Sequence, residues 1–333
     1  MSAKSEKTTL SPLKRARYFI EYAGLKLGVW IVGLLSYSAL RPLANFLGSL
    51  VWFLDTRGRR VAIDNLRCAF PGRFNDAELK HTSRASYKTF ARTMLELLWA
   101  PRLTKSIVEK HIRYIGTENI PAAGTKENPG TPVVFFCMHA ASFEWLSLSS
   151  TLSKDFPARP GLVLTQKLRN PRLGPIFDKL RASSGHEIIP QERAVLRMLR
   201  WLRSGGSFYM LNDLNIDPRE GGVVIEAFGM KMCVTPIHVA MAQKTGAVLL
   251  PSAATPRPDG GYDFKIYPGI HCPPEKSQQE LTQQCWDVLE NYVRENPALW
   301  LWSYKHWRYR PKDAPPESYP FYANTAARFD KLL

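Results

Sequence analysis

The chain has 333 residues, 45% of them hydrophobic and 22% charged, the composition of a globular protein able to bury a sizeable core. Lys and Arg outnumber Asp and Glu by 45 to 29, a formal charge of +16 that nucleic acid, anionic lipid headgroups or an acidic protein could meet. The five cysteines (Cys68, Cys137, Cys233, Cys272, Cys285) are odd in number and widely spaced without a Cys-x-x-Cys pair, which argues against a disulfide framework or structural zinc and favours a reducing compartment.

Residues 1–17 form a basic tail carrying Lys4, Lys7, Lys14, Arg15 and Arg17. Residues 18–56 read as a membrane anchor. The uncharged run Leu27–Leu40 is short for a helix crossing about 30 Å of hydrocarbon. A second apolar stretch, Leu43–Leu54, follows and ends before Arg57, Arg59 and Arg60. One tilted spanning helix or a pair of interfacial helices fits, and buried core helices are the plainer alternative. Tyr18, Trp30, Tyr37, Trp52 and the basic flanks favour the membrane. No small-residue cleavage site follows, so the segment is expected to be retained.

Residues 57–311 read as the main domain and 312–333 as a tail. Helical patterning covers 61–118, with a turn at Pro71-Gly72, and Pro121–Thr131 is a loop. The apolar run Pro132–Met138 then predicts a buried strand, and Phe143–Leu152 a helix that Ser142 is placed to cap. Between them lie His139 and Glu144. On one continuous helix these would point about 140° apart, at roughly 100° per residue, so they can meet only across a strand-to-helix turn. There the imidazole could serve as general base while the carboxylate fixes its tautomer, and helix-start N–H groups could hold an oxyanion. The plainer reading is a hydrogen-bonded structural histidine.

Four more strands are predicted at Leu162–Leu164, Glu187–Ile189, Phe208–Leu211 and Val248–Pro251, and Tyr262–Tyr267 alternates as an edge strand. Asp213 lies just beyond one of them, as a site residue or as a cap for the loop Asn215–Gly222. Arg197 and Arg200 belong to a stripe along Arg193–Arg203 that is either a solvated face or a docking surface for phosphates or an acidic partner. Phe228-Gly229 followed by Thr235-Pro236 marks a turn into the helix Ile237–Thr245, with Pro236 at its first helical position, and His238 on that helix reads as structural. Ser277–Glu295 is a further helix. Trp300–Pro311 interleaves three Trp and two Tyr with Lys305, His306, Arg308 and Arg310, which suits nucleic acid, a membrane interface or a final strand closing the core. Strands alternating with helices imply an α/β layer fold with its site at the carboxyl ends of the strands.

In this order the segments resemble the lipid A biosynthesis lauroyl- and myristoyl-transferring acyltransferases, of the wider lysophospholipid acyltransferase superfamily. The likeness runs from about residue 18 to Pro311. It is carried by RRVAIDNLRCAFPG (Arg59–Gly72), the His139-x4-Glu144 motif, Asn170-Pro171 with Arg181, and the Asp213 loop. Ala227-Phe228-Gly229, the TGAVLLP run and the closing Trp-to-Arg-Pro segment complete it. The resemblance implies a glycerol-3-phosphate acyltransferase-like fold, with a mixed central sheet flanked by helices and an N-terminal membrane-associated helical segment. It implies that His139 deprotonates a hydroxyl of a lipid A precursor or related glycolipid, which attacks the thioester of an acyl-carrier protein. Glu144 would orient the imidazole, and Lys167, Asn170, Arg181, Asp213, Arg197 and Arg200 are expected to bind substrate. No metal, no cofactor and no covalent enzyme intermediate is expected, and the place is the cytoplasmic face of a bacterial inner membrane.

Three departures bear on the acceptor rather than the reaction. Where the family has Tyr-Arg-Pro, this chain has Thr165-Gln166-Lys167, and a lysine supplies no bidentate fork. Leu214 replaces a common Gln, and Tyr304 and His306 replace a typical His and Arg. Another glycolipid or a lysophospholipid, with acyl-CoA as donor, therefore remains a competing substrate pair, and a membrane-associated binding protein without catalysis the competing class. A serine hydrolase lacks its Gly-x-Ser-x-Gly elbow here, and a His-Glu-x-x-His zinc enzyme lacks its motif. No DNA- or RNA-binding motif accompanies the charge, so no nucleic acid is expected.

Overall fold

The computed structural model describes residues 11–125, 128–157, 161–192 and 194–333. Four helices come first: α1 (Pro12–Leu34), α2 (Tyr37–Leu54), α3 (Thr56–Ala69) and α4 (Asp76–Trp99). Then follow α5 (Lys105–His111), β1 (Ile112–Ile115), β2 (Val133–Cys137), α6 (Phe143–Leu148), β3 (Gly161–Thr165) and α7 (Gly174–Arg181). β4 (Glu187–Pro190), α8 (Val195–Arg203) and β5 (Ser207–Leu211) lead to a hairpin of β6 (Val223–Ala227) and β7 (Met230–Val234). α9 (Ile237–Thr245), β8 (Val248–Pro256), β9 (Tyr262–Ile266) and α10 (Gln278–Glu295) come next, then the short pair β10 (Tyr309–Arg310) and β11 (Asn324–Thr325).

Seven strands form the central sheet in the order β1-β9-β8-β2-β5-β3-β4. All its pairings are parallel except β8 with β9, so the sheet is mixed and flanked by helices, as expected. β2 runs through its middle, and Val133–Phe136 are buried on both faces, which is why the segment reads as an unbroken apolar run. β9 is not the edge strand its alternation suggested; it lies between β8 and β1. Tyr262, Phe264 and Ile266 point into the core while Lys265 faces out, so the alternation reports one open face rather than an edge. Phe228-Gly229 is the turn of the β6–β7 hairpin, with φ of 54° and 79°, not a turn into α9. α9 starts at Ile237, with Pro236 in the cap position outside the helix.

Of the two anchors that fit the sequence, the single spanning helix is not what forms at the N-terminus. The run Leu27–Leu40 breaks at Leu35-Ser36 into α1 and α2, and among the described residues no helix is long and apolar enough to cross a membrane. The two helices are not buried core helices either: Phe19, Ile20, Trp30 and Leu34 on α1 and Phe46 and Phe53 on α2 are exposed. The other side of α2 lies directly on α4. A Cβ at Gly48 would sit 2.5 Å from the Lys88 Cα, so only glycine permits this approach of two backbones.

The aromatic C-terminal segment closes the interior, but as turns rather than as the final strand of one of its readings: its strand residues, Tyr309–Arg310, pair with β11 outside the central sheet. Trp300, Trp302 and Trp307 are fully buried around Phe228, and the bridge of Ala140 to Trp300, in which the Leu301 N–H donates to the His139 carbonyl at 3.0 Å, ties the segment to the sheet end. Asn65 on α3 clamps it by donating to the Trp302 and Tyr304 carbonyls at 2.8 Å each.

Candidate active site

His139 lies two residues past the end of β2, and Asp213 two residues past the end of the neighbouring parallel strand β5. Strand pairing alone therefore sets them side by side, 74 positions apart in sequence. His139 Nδ1 is 2.7 Å from Asp213 Oδ1, and the His139 backbone N–H donates to Oδ2 at 2.9 Å. The indole N–H of Trp300 donates to the same Oδ2 at 2.7 Å. Asp213 thus faces the catalytic candidate rather than capping its own loop. Three donors hold the carboxylate, which in turn fixes the imidazole, and Nε2 has no partner among the described residues.

Burial alone would lower the His139 pKa, but the charge and hydrogen bond of Asp213 outweigh it and hold the imidazole above its ordinary value. Burial likewise pushes the Asp213 carboxyl up, and the His139 charge and hydrogen bond override that, bringing it to about 2. His306 lies behind this pair, its ring stacked 3.9 Å from that of Trp300. Burial drives it down to about 4, so it is neutral near pH 7 and adds no charge to the site.

Glu144 does not take the place expected of it. It lies in the first turn of α6 and accepts a bidentate pair from Arg181 at the end of α7, with contacts of 2.6 and 3.0 Å. The imidazole edge it was expected to orient belongs to Asp213. Glu144 acts on His139 only through its charge, one of the minor causes of the raised imidazole pKa. The carboxylate that contacts the imidazole is thus Asp213 and not Glu144, because β5 lies beside β2 in the sheet but far from it in the chain.

A turn over Ala140–Ser142 joins the strand to α6, and its geometry is costly. Ala141 has φ of 48°, a left-handed conformation for a residue with a Cβ. The surroundings hold it there. Ala141 N–H donates to the Leu299 carbonyl at 2.9 Å, and the Thr93 hydroxyl donates to the Ala141 carbonyl. Ser142 occupies the cap position of α6 but makes no cap hydrogen bond; its hydroxyl donates instead to Glu96 Oε2 at 2.6 Å. The first N–H groups of α6 are left unclaimed by any cap.

Glu96 is a fully buried carboxylate on α4 that no motif marks. It accepts from Arg92 Nε at 2.8 Å and from the Tyr262 hydroxyl at 2.9 Å, besides Ser142. Its backbone carbonyl accepts from the Trp145 indole at 3.0 Å. Burial pushes its carboxyl up, while Arg92 and the hydroxyl donors pull the other way. Two residues of α6 and its cap thus hang from one turn of α4.

The other predicted residues lie elsewhere. Lys167 is exposed just past the end of β3. Asn170 is buried and tethers α1, its amide donating to the Tyr18 carbonyl at 2.9 Å and to Glu21 Oε2 at 3.0 Å. Arg197 pairs with Glu187 at 2.6 Å, and Arg200 lines the same shallow hollow with Leu162 and Glu187. Glu187 is the first residue of β4 and Leu162 the second of β3, so this stripe sits at the opposite end of the sheet from His139. Arg193 lies outside the described residues.

The family model for bacterial lipid A biosynthesis acyltransferases matches residues 7–309. The chain is similar to the lipid A biosynthesis lauroyltransferase of Escherichia coli (strain K12), 21% identical over 305 residues that cover 91% of this chain and 96% of that one. A solved 1-acyl-sn-glycerophosphate (LPA) acyltransferase from Thermotoga maritima aligns over 78% of this chain and 99% of its own, at 18% identity. Its TM-score is 0.37, too loose a superposition to bear on the site. On a family match that spans nearly its whole length, the chain belongs to the bacterial lipid A biosynthesis acyltransferases and is an acyltransferase.

Proposed function

We propose that this acyltransferase moves a fatty acyl chain from the thioester of an acyl-carrier protein to a hydroxyl of a lipid A precursor, with His139 as general base and Asp213 as its orienting partner. The observation that carries this reading is the His139–Asp213 contact at the carboxyl ends of two adjacent parallel strands, with Nε2 left open. Asp213 holds the proton on Nδ1, so the lone pair is on Nε2 and faces the acceptor. The acceptor O–H gives its proton to Nε2 as its oxygen attacks the thioester carbonyl. The tetrahedral intermediate collapses by breaking the C–S bond, and the leaving thiolate takes the proton back from the imidazolium. As charge moves onto the ring, the buried Asp213 carboxylate stabilises it.

Glu144 keeps a structural share in this scheme. It fixes Arg181, whose charge reaches His139, where the guanidinium can meet an acceptor phosphate or the developing oxyanion. Glu96 positions the turn through Ser142 and Trp145 and touches no reacting atom. The exposed apolar sides of α1 and α2 lie in the membrane interface, at the cytoplasmic face of the inner membrane, where both substrates are within reach.

Acyl transfer by detergent-solubilised protein tests this, with acyl-carrier protein and acyl-CoA offered as alternative donors. A lipid A precursor and a lysophospholipid are offered as alternative acceptors. Transfer from the carrier to the lipid A precursor, lost in His139→Ala, is the expected result. Transfer to the lysophospholipid alone would move the acceptor class and leave the chemistry in place. Turnover with acyl-CoA alone would overturn the donor.

A further inference from the structure

Away from His139, one face of α3 opens an unassigned cleft of about 440 Å³, lined by Thr56, Arg59, Arg60, Ile63, Arg67 and Phe321 together with Asp64. These positions follow a helical period, while Ala62, Leu66 and Ala69 of the same helix are buried in the core. Three arginines meet one aspartate there, and the aspartate is already engaged. Asp64 Oδ2 accepts from the Phe321 backbone N–H at 2.7 Å, and Oδ1 lies 3.3 Å from Arg67 Nη1. Asp55, at the N-cap of α3, is likewise taken by Gly58 N–H at 2.8 Å and the Tyr87 hydroxyl at 2.9 Å. Neither Arg59 nor Arg60 has a carboxylate partner among the described residues. Arg59 spends Nη1 on the Trp52 and Phe53 carbonyls at 3.1 and 3.0 Å, and the Arg60 guanidinium carbon lies over the Phe321 ring, 4.1 Å from its centroid.

Cationic forks held in place without a counter-charge are arranged for a phosphate, whose oxygens accept paired N–H bonds. The surroundings say what carries it. Phe53 and Leu54, at the C-terminal turn of α2 just before Thr56, are exposed, and Phe321 is 50% exposed. Apolar side chains bordering unpaired arginines match a molecule with an anionic head and hydrocarbon tails, and fit a folded acidic protein less well. We infer that the Arg59–Arg60 cleft is a docking site for the anionic, phosphate-bearing headgroup of a membrane lipid, fixing α3 against the bilayer beside the apolar face of α2. This rests on the interfacial reading of α1 and α2.

Co-sedimentation of the full-length protein with vesicles tests the site. Phosphatidylcholine vesicles are compared with phosphatidylcholine mixed with phosphatidylglycerol. Arg59→Gln/Arg60→Gln is set against Arg197→Gln/Arg200→Gln, which removes the same charge at the far end of the sheet. Wild type is expected to bind both vesicles and to prefer the anionic ones, a preference that weakens as salt rises. The cleft variant should lose that preference by about 5-fold per arginine, on the order of 30-fold in all, while the far-end variant keeps it. Arg60→Gln alone, which removes only a ring contact, carries the test if the double variant unfolds early. Equal losses in the two double variants, or an unchanged preference in the cleft variant, would overturn the site. So would weaker binding of acyl-carrier protein by the cleft variant with vesicle binding intact. Competition by inorganic phosphate at concentrations matching the lipid would show a free-anion site and overturn the lipid assignment. Failure of wild type to bind neutral vesicles would count against the interfacial helices instead, a separate outcome.

Discussion

Asp213→Asn separates the two carboxylates that could serve His139. Asp213 accepts three N–H donors, from the His139 ring, the His139 backbone and Trp300. An asparagine has one acceptor oxygen and turns an NH2 toward the rest, so at least one donor loses its partner and the ring is pressed toward the wrong tautomer. The expected loss in kcat is on the order of 10³ to 10⁴, the upper range for a misplaced general base. The pH profile adds a signature. Because Asp213 raises the His139 pKa, the acid limb of kcat/KM lies above the ordinary histidine value in wild type. In Asp213→Asn it moves to lower pH, while the plateau falls. Glu144→Gln should leave that limb nearly in place, because Glu144 adds only a minor charge effect. Its cost is the Arg181 contact, about 1.5–3 kcal/mol of stability for hydrogen bonds to a charged group. Steady-state rates across pH 5 to 9 for the three proteins decide the matter. A limb displaced by Glu144→Gln and unmoved by Asp213→Asn would refute the assignment of Asp213.

Other consequences follow from the same contacts. Glu96→Ala leaves Arg92 buried without its partner and should cost about 3–5 kcal/mol by thermal unfolding, whereas Ser142→Ala, which only frees the turn, should lower kcat more than stability. Gly48→Ala forces a methyl onto the Lys88 backbone and should shift α2 off α4, seen as a lower Tm with kcat nearly unchanged in detergent. Asp213, depressed to about 2 in the folded chain against 3.8 ordinarily, contributes stability that is present above pH 4 and is lost as pH falls toward 2; Asp213→Asn should flatten acid unfolding in that window. Arg197→Glu/Arg200→Glu should leave the KM for the acyl donor unchanged, since both residues sit at the far end of the sheet.

Much of the fold was legible because its signals are local. β2 announced itself as a short run of Val and Phe, and α10 by its apolar spacing behind Ser277, which caps it. What local patterns cannot carry is adjacency. Nothing near His139 in the chain says that β5 runs beside β2, and only that pairing makes Asp213 the partner of His139. Glu96 was hidden for the same reason: an acid with an arginine four residues before it in an amphipathic helix looks like a solvated pair until the fold turns it onto Tyr262 and Ser142. The apolar N-terminal run was visible, but its division into two helices depends on a break at Leu35-Ser36 that hydropathy does not mark.

Acyl transfer from the carrier thioester by His139→Ala, at matched Tm with wild type, tests the central claim most directly. A fall in kcat of about 10² to 10⁴ or more, with lipid binding retained, is the predicted result. Transfer at the wild-type rate would contradict it, and the base would have to be sought among other residues.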